Sequence, residues 1–129
     1  MRHARPVYLE DVPRPVGPYS PAVRAGDFVY VSGQVPRDLA TGELLGSDTP
    51  SQARAVLANV RRVLESADAS IEDVVSVTVY LVDTNDWAAF NEVYQEYFSD
   101  PFPSRTAIGC ALRGIRVEVS CVAYAPLAR

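Results

Sequence analysis

The sequence predicts an α+β fold in which two helices cover one face of a β-sheet. Apolar residues recur at helical spacing in two stretches, 53–67 and 87–98. Runs rich in β-branched and aromatic residues at 28–33, 74–82, 107–112 and 117–122 read as strands. The order is strands, helix, strand, helix, two strands. Two helices cover one face of such a sheet and leave the other without a helix.

Each element follows from local chemistry. Pro13, Pro15, Pro18 and Pro21 restrain the leading segment as an extended loop. Gly26 and Asp27 turn the chain into the strand 28–33. A polar loop with Gly42 and Gly46 spans 38–48. Thr49-Pro50-Ser51-Gln52 reads as a helix start, with Thr49 as cap, Pro50 as first helical residue and Gln52 completing a capping box. Ala53, Val56, Leu57, Val60, Val63, Leu64 and Ala67 form its apolar stripe; Arg54, Arg61, Arg62 and Glu65 lie off it. In the strand 74–82, alternation places Val75, Val77, Val79 and Leu81 on one face. Val74, Ser76, Thr78, Tyr80 and Val82 fall on the other. A second helix starts near Asn85 or Asp86. Its stripe is Trp87, Phe90, Tyr94, Tyr97 and Phe98, and Pro101 and Pro103 close it. The last two strands are joined by a short turn around Arg113-Gly114. The uncovered face carries Val74, Tyr80, Val82, Val122 and Tyr124, which implies a partner subunit and a homo-oligomer.

Composition narrows the function. The 129 residues fit one domain, 1–129, of ordinary globular make-up, with 48% hydrophobic and 22% charged residues. A net charge of −4 gives no electrostatic footprint for nucleic acid. All 12 basic residues are arginine, which removes a lysine Schiff base and a P-loop lysine. The single histidine, His3, stands near the chain start, so neither a Ser-His-Asp triad, a Cys-His pair nor a zinc site is expected. Cys110 and Cys121 lie in apolar strands and read as inert buried thiols. No apolar run reaches membrane-span length and residues 1–10 hold no signal-peptide core, so a cytoplasmic location is expected.

Two charged residues stand out. Pro101-Phe102-Pro103-Ser104-Arg105-Thr106 delivers an arginine to the start of an apolar strand, and Glu118 sits inside another. A guanidinium fork is a preorganised carboxylate binder. A strand glutamate among valines is costly unless it is paired or performs chemistry. Together they suggest a site for a small acidic substrate. The plainer alternatives are a surface ion pair for Arg105 and a structural interface pair for Glu118.

Four landmarks resemble the YjgF-type, or Rid (reactive intermediate deaminase), family. They are Gly17-Pro18-Tyr19-Ser20, then Val31-Ser32-Gly33-Gln34-Val35-Pro36, then Asn85-Asp86-Trp87 with the later Asn91. The last is Pro103-Ser104-Arg105-Thr106-Ala107 together with Val117-Glu118-Val119. They run in order over nearly the whole chain. The resemblance implies a chorismate-mutase-like (bacillus-type) mixed β-sheet unit, assembled as a homotrimer with clefts between subunits. It implies hydrolysis of 2-imino or 2-enamino acids to 2-oxo acids and ammonia, without metal or organic cofactor. Arg105 would bind the substrate carboxylate, and Glu118 would orient the water and move protons. Burial would raise the Glu118 pKa and a nearby Arg105 would lower it.

Tyr19 would close the cleft and hydrogen-bond substrate or water, or else pack as an aromatic in its loop. Ser32 and Gly33 would offer polar and backbone groups to substrate, or form a β-bulge. Asn91 would touch substrate, or make a structural hydrogen bond. Two departures bear on specificity. The turn from Leu112 to Arg116 is short and lacks the family's proline, and Ala107 stands where some members carry cysteine. Arg113 and Arg116 would add positive charge at that rim, or simply be solvated. Other functions the family admits are a non-catalytic binder of small carboxylic acids, a regulatory or chaperone-like trimer, and a ribonuclease or translation inhibitor. The acidic balance and the missing histidine argue against the last.

Overall fold

A computed structural model describes residues 1–127. Its strands are β1 (Arg5–Val7), β2 (Ala22–Ala25), β3 (Phe28–Gln34), β4 (Val74–Leu81), β5 (Ser104–Gly109) and β6 (Val117–Tyr124), with helices α1 (Thr49–Ser66) and α2 (Trp87–Tyr94). They form one six-stranded mixed sheet in the order β1-β2-β3-β6-β4-β5. Only β4 and β5 run parallel. The order strand, helix, strand explains that pair, because parallel neighbours need a crossover and α2 supplies it.

The N-cap of α1 is Asp48, not Thr49, which is the first helical residue. The Asp48 carboxylate accepts from Ser51 N at 2.9 Å, and Ser51 Oγ accepts from Asp48 N at 3.3 Å, closing a capping box one residue earlier than the spacing suggests. A carboxylate is the better N-cap acceptor here because it also meets the positive end of the helix dipole. Thr49 and Gln52 are thereby released for tertiary bonds. The expected stripe is buried in full, with Val56, Leu57, Val60, Val63 and Leu64 completely so, while Arg54, Arg61, Arg62 and Glu65 face outward. Each such aliphatic contributes about 2 kcal/mol by leaving water. The last turn of α1 holds no basic residue. A buried arginine from β2 supplies one: Arg24 donates to the carbonyls of Ala67 (2.7 Å), Ala125 (2.8 Å) and Gly26 (3.1 Å). This tacks the end of α1 to the end of the sheet.

The structure departs from strict sequence periodicity at several places. The stretch from Pro13 to Pro21 is a loop, as expected, but the residues on either side of it add the strands β1 and β2, and Ser32 N donates to Pro21 O at 3.0 Å just ahead of β2. Pro6 is tolerated because β1 is an edge strand. In β4 the register against β6 shifts between Val74 and Ser76, so Val75 is a bulge residue. The bulge reverses the alternation at that end. Val74 is buried in the core and Val75 is exposed, the opposite of the expected faces.

A short 3-10 turn, Thr84–Asp86, precedes α2, which begins at Trp87 and ends at Tyr94. Tyr97 and Phe98 lie beyond it, where bonds such as Tyr97 N to Tyr94 O (3.0 Å) tighten the chain ahead of Pro101. β5 begins at Ser104 and stops at Gly109, so Cys110 to Leu112 fall outside it and Arg105 is its second residue. The segment 110–116 does join β5 to β6, but β4 lies between them, so the two are not a hairpin.

The helices cover one face. The opposite face exposes Phe28, Tyr30, Val75, Val82, Ile108 and Tyr124, each between 38% and 49% accessible. Among the described residues no helix is long and apolar enough to cross a membrane.

Candidate functional site

The candidate residues fall into two groups, one on each face of the sheet. β5 is an edge strand, exposed at every position. Arg105 pairs in register with Val77, whose side chain points into the core beneath the helices. Arg105 therefore reaches toward α2, where Nη1 donates to Asn91 Oδ1 at 2.8 Å and Cζ lies 4.9 Å from the centre of the Tyr94 ring. Asn91, Tyr94, Gln95, Phe102, Pro103 and Arg105 line an open pocket of about 270 Å³. No carboxylate pairs with Arg105 among the described residues, so the surface ion pair is not what this arginine makes.

Glu118 pairs in register with Tyr80. Tyr80 is three residues along β4 from Val77, so Glu118 lies on the other face of the sheet from Arg105. Its carboxylate packs against Gly33. A Cβ at Gly33 would collide with Glu118 Oε2, so a larger residue there would push the carboxylate aside. β3 shifts register against β6 between Val31 and Gln34, so Ser32 and Gly33 do form a β-bulge. The bulge and the functional reading are compatible, since the bulge is what brings bare backbone to the carboxylate. Burial raises the Glu118 pKa above the usual glutamate value, and no positive charge among the described residues offsets it. Desolvation thus decides the contest between burial and Arg105, because the arginine is on the opposite face.

Tyr19 is 59% exposed. It lines a cavity of about 310 Å³ together with Gly33 and Gln34, under the proline-rich leading segment. Its ring lies over Gly17. Ser32 Oγ donates to Ser20 O at 2.6 Å, so the Ser32 hydroxyl fastens the Tyr19 segment to β3. Tyr19, Ser32, Gly33 and Glu118 belong to one flank, and Arg105 and Asn91 to the other.

Arg116 is not a free rim charge. Its N–H donates to Gln52 Oε1 at 2.7 Å, Nε to Thr49 Oγ1 at 3.1 Å and Nη2 to Asp86 Oδ2 at 2.9 Å. Thr49 Oγ1 also donates to Asp86 Oδ2 at 2.6 Å. The Thr49 hydroxyl and the arginine hold the Asp86 carboxyl below its usual range. This cluster ties the starts of both helices to the chain before β6, and it consumes the charge. Arg113 is exposed.

Cys121 is buried in β6 and its thiol is pushed up to about 12 by desolvation, whereas Cys110 is half-buried beyond β5. Tyr94 was legible only as a core aromatic. The overlooked signal is that it lies one helical turn from Asn91, on the same face of α2.

The α+β unit thus carries an arginine without a carboxylate partner among the described residues on one flank and a desolvated glutamate on the other. The family model described as Endoribonuclease L-PSP matches residues 9–125. The chain belongs to this family, also called YjgF/RutC/Rid. It is 43% identical over 120 residues to a RutC family protein of Pyrococcus horikoshii, covering 92% of this chain and 95% of that one. It is 39% identical over 113 residues to a 2-iminobutanoate/2-iminopropanoate deaminase of Capra hircus, covering 86% and 82% respectively. The structure of E. coli TdcF with bound serine superposes with a TM-score of 0.84 at 32% identity, covering 93% of this chain and 98% of TdcF.

Proposed function

We propose that this protein hydrolyses 2-imino or 2-enamino acids to 2-oxo acids and ammonia. Arg105 binds the substrate carboxylate, and Glu118 positions the attacking water and carries protons. Tyr19 closes the cleft, with Gly33 offering backbone beside it. The observation that carries the reading is the pair of charged groups itself: an arginine with no carboxylate of its own, and a glutamate held by burial nearer neutrality. Relatives named deaminases support the substrate class.

The chemistry asks for little more. An imine carbon next to a carboxylate is already electrophilic, so holding the acid and a water in register supplies much of the acceleration. Arg105 and Glu118 stand on opposite faces, about 10 Å apart along the strand direction and two strand spacings across. One copy cannot bring both to one small substrate. The active cleft is therefore built between copies, in a homotrimer of chorismate-mutase-like units in which β5 of one subunit meets the Glu118 flank of the next.

The test generates 2-iminopropionate with an amino-acid oxidase and follows semicarbazide trapping against 2-oxo acid release. Wild type should accelerate hydrolysis, and Arg105→Ala should lower kcat/KM about a hundredfold, as expected for losing a desolvated bidentate contact. A wild type inert toward several imino acids would leave a second reading, a binder of small carboxylic acids, which the bound serine of TdcF favours. That reading keeps Arg105 and needs no turnover.

A further inference from the structure

Arg105 stands on a fully exposed edge strand, where an arginine samples many rotamers and must be ordered before it can grip a ligand. Here it is ordered in advance. Asn91 Oδ1 takes the Nη1 donor at 2.8 Å, and the Tyr94 ring lies under the guanidinium at 4.9 Å. Tyr94 is itself packed in place: it is 5% exposed, stacked on Phe98 at 4.5 Å and tilted against Phe90 at 5.8 Å. Nε and Nη2 of Arg105 carry no hydrogen bond among the described residues. These two N–H groups form the side edge of the fork, which matches the two oxygens of a carboxylate. The same molecule shows that edge in use, where Arg54 Nε and Nη2 hold the two oxygens of Glu96 at 3.2 and 2.9 Å.

We propose that Asn91 and Tyr94 are positioning residues that lock the Arg105 guanidinium with its Nε–Nη2 edge open to the substrate carboxylate. This rests on the deaminase reading for the identity of the carboxylate, but not for the lock itself. Asn91 acts on substrate through Arg105 and does not touch it. Tyr94 acts through its ring face. Its hydroxyl is buried with no hydrogen-bond partner among the described residues, so the lock draws on the ring and not on the hydroxyl.

The test compares Tyr94→Phe, Tyr94→Leu and Asn91→Ala with wild type by two readouts. In nitrogen-15 NMR, the Arg105 side-chain signals, assigned by their loss in Arg105→Ala, should be displaced by the aromatic ring current in wild type and Tyr94→Phe. They should return to the ordinary arginine position in Tyr94→Leu. In steady-state hydrolysis of 2-iminopropionate, Tyr94→Leu and Asn91→Ala should raise KM about tenfold with kcat little changed, and Tyr94→Phe should restore the wild-type KM. If Tyr94→Leu does not fold, Asn91→Ala carries the kinetic arm and wild type the spectroscopic one. The lock is overturned by a wild-type Arg105 signal without ring-current displacement, by Tyr94→Phe behaving as Tyr94→Leu, or by an unchanged KM in folded Tyr94→Leu or Asn91→Ala. A displaced signal in a wild type that hydrolyses no imine would uphold the lock and remove the deaminase reading instead.

Discussion

Glu118 lies half-buried among valines on β6, and burial raises its pKa above 4.5, the ordinary value. The folded state therefore binds its proton more tightly than the unfolded chain. The stabilisation from the neutral form is complete below the unfolded pKa and is lost as pH rises through the folded one. Above the unfolded pKa the folded protein thus bears the cost of a site that disfavours the ionised carboxylate. Glu118→Gln keeps the shape and removes the charge. It should melt at a higher temperature than wild type at pH 7, with the advantage shrinking as pH falls toward 4.5. The same variant should lose imine hydrolysis, and the acid limb of the wild-type rate profile should have its midpoint above 4.5. Equal melting temperatures at pH 7 would show that Glu118 is paid no desolvation cost and so has no tuned proton.

At the scale of elements, the Ser32-Gly33 bulge couples the fold to the proposed chemistry. β3 gains one residue against β6 there, and the missing Cβ leaves room for the Glu118 carboxylate. Gly33→Ala should push that carboxylate aside and reduce kcat at least tenfold, a loss of roughly 1.4 kcal/mol or more in transition-state stabilisation. The fold, read by circular dichroism, should be retained. A variant as active as wild type would mean that Glu118 need not occupy this position.

The same bulge marks how far the sequence could be read. α1 was legible because its stripe lies within one element and helical periodicity is local. The Asp48 cap was missed because Thr49 and Asp48 both qualify as caps, and only the bonds made by the freed Thr49 distinguish them. The reversal of Val74 and Val75 was invisible because a bulge is set by the partner strand, not by the strand's own pattern. β1 was hidden by Pro6, which an edge strand tolerates, and β2 by its shortness and by Pro21 just before it. Ser32, Gly33, Arg105 and Glu118 were picked out by residue type and resemblance. Their division between two faces was not, because it depends on β5 pairing in parallel with β4 and β6 lying on β4's other side.

For the whole molecule, the proposed hydrolysis makes assembly part of the chemistry, because that division keeps Arg105 and Glu118 of one copy apart. A rotationally symmetric ring joins two different surfaces at every contact. In the proposed trimer, the exposed β5 edge bearing Arg105 and the sheet face bearing Glu118 would be two such surfaces, with the exposed apolar side chains Tyr30, Val82, Ile108 and Tyr124 as area to bury. If each cleft takes Arg105 from one copy and Glu118 from its neighbour, two inactive variants can repair each other. Arg105→Ala and Glu118→Gln, unfolded together in equal amounts and refolded, would distribute at random. Each cleft then has one chance in two of an intact arginine and one in two of an intact glutamate, so roughly a quarter of wild-type activity should return. Mixing without unfolding should restore nothing until subunits exchange. Sedimentation should report the same assembly for both variants and the mixture. Recovery near zero in properly assembled mixed oligomers would place Arg105 and Glu118 in the same copy's site or in no common site, and would dismantle the shared-cleft mechanism even if the wild type hydrolyses imines.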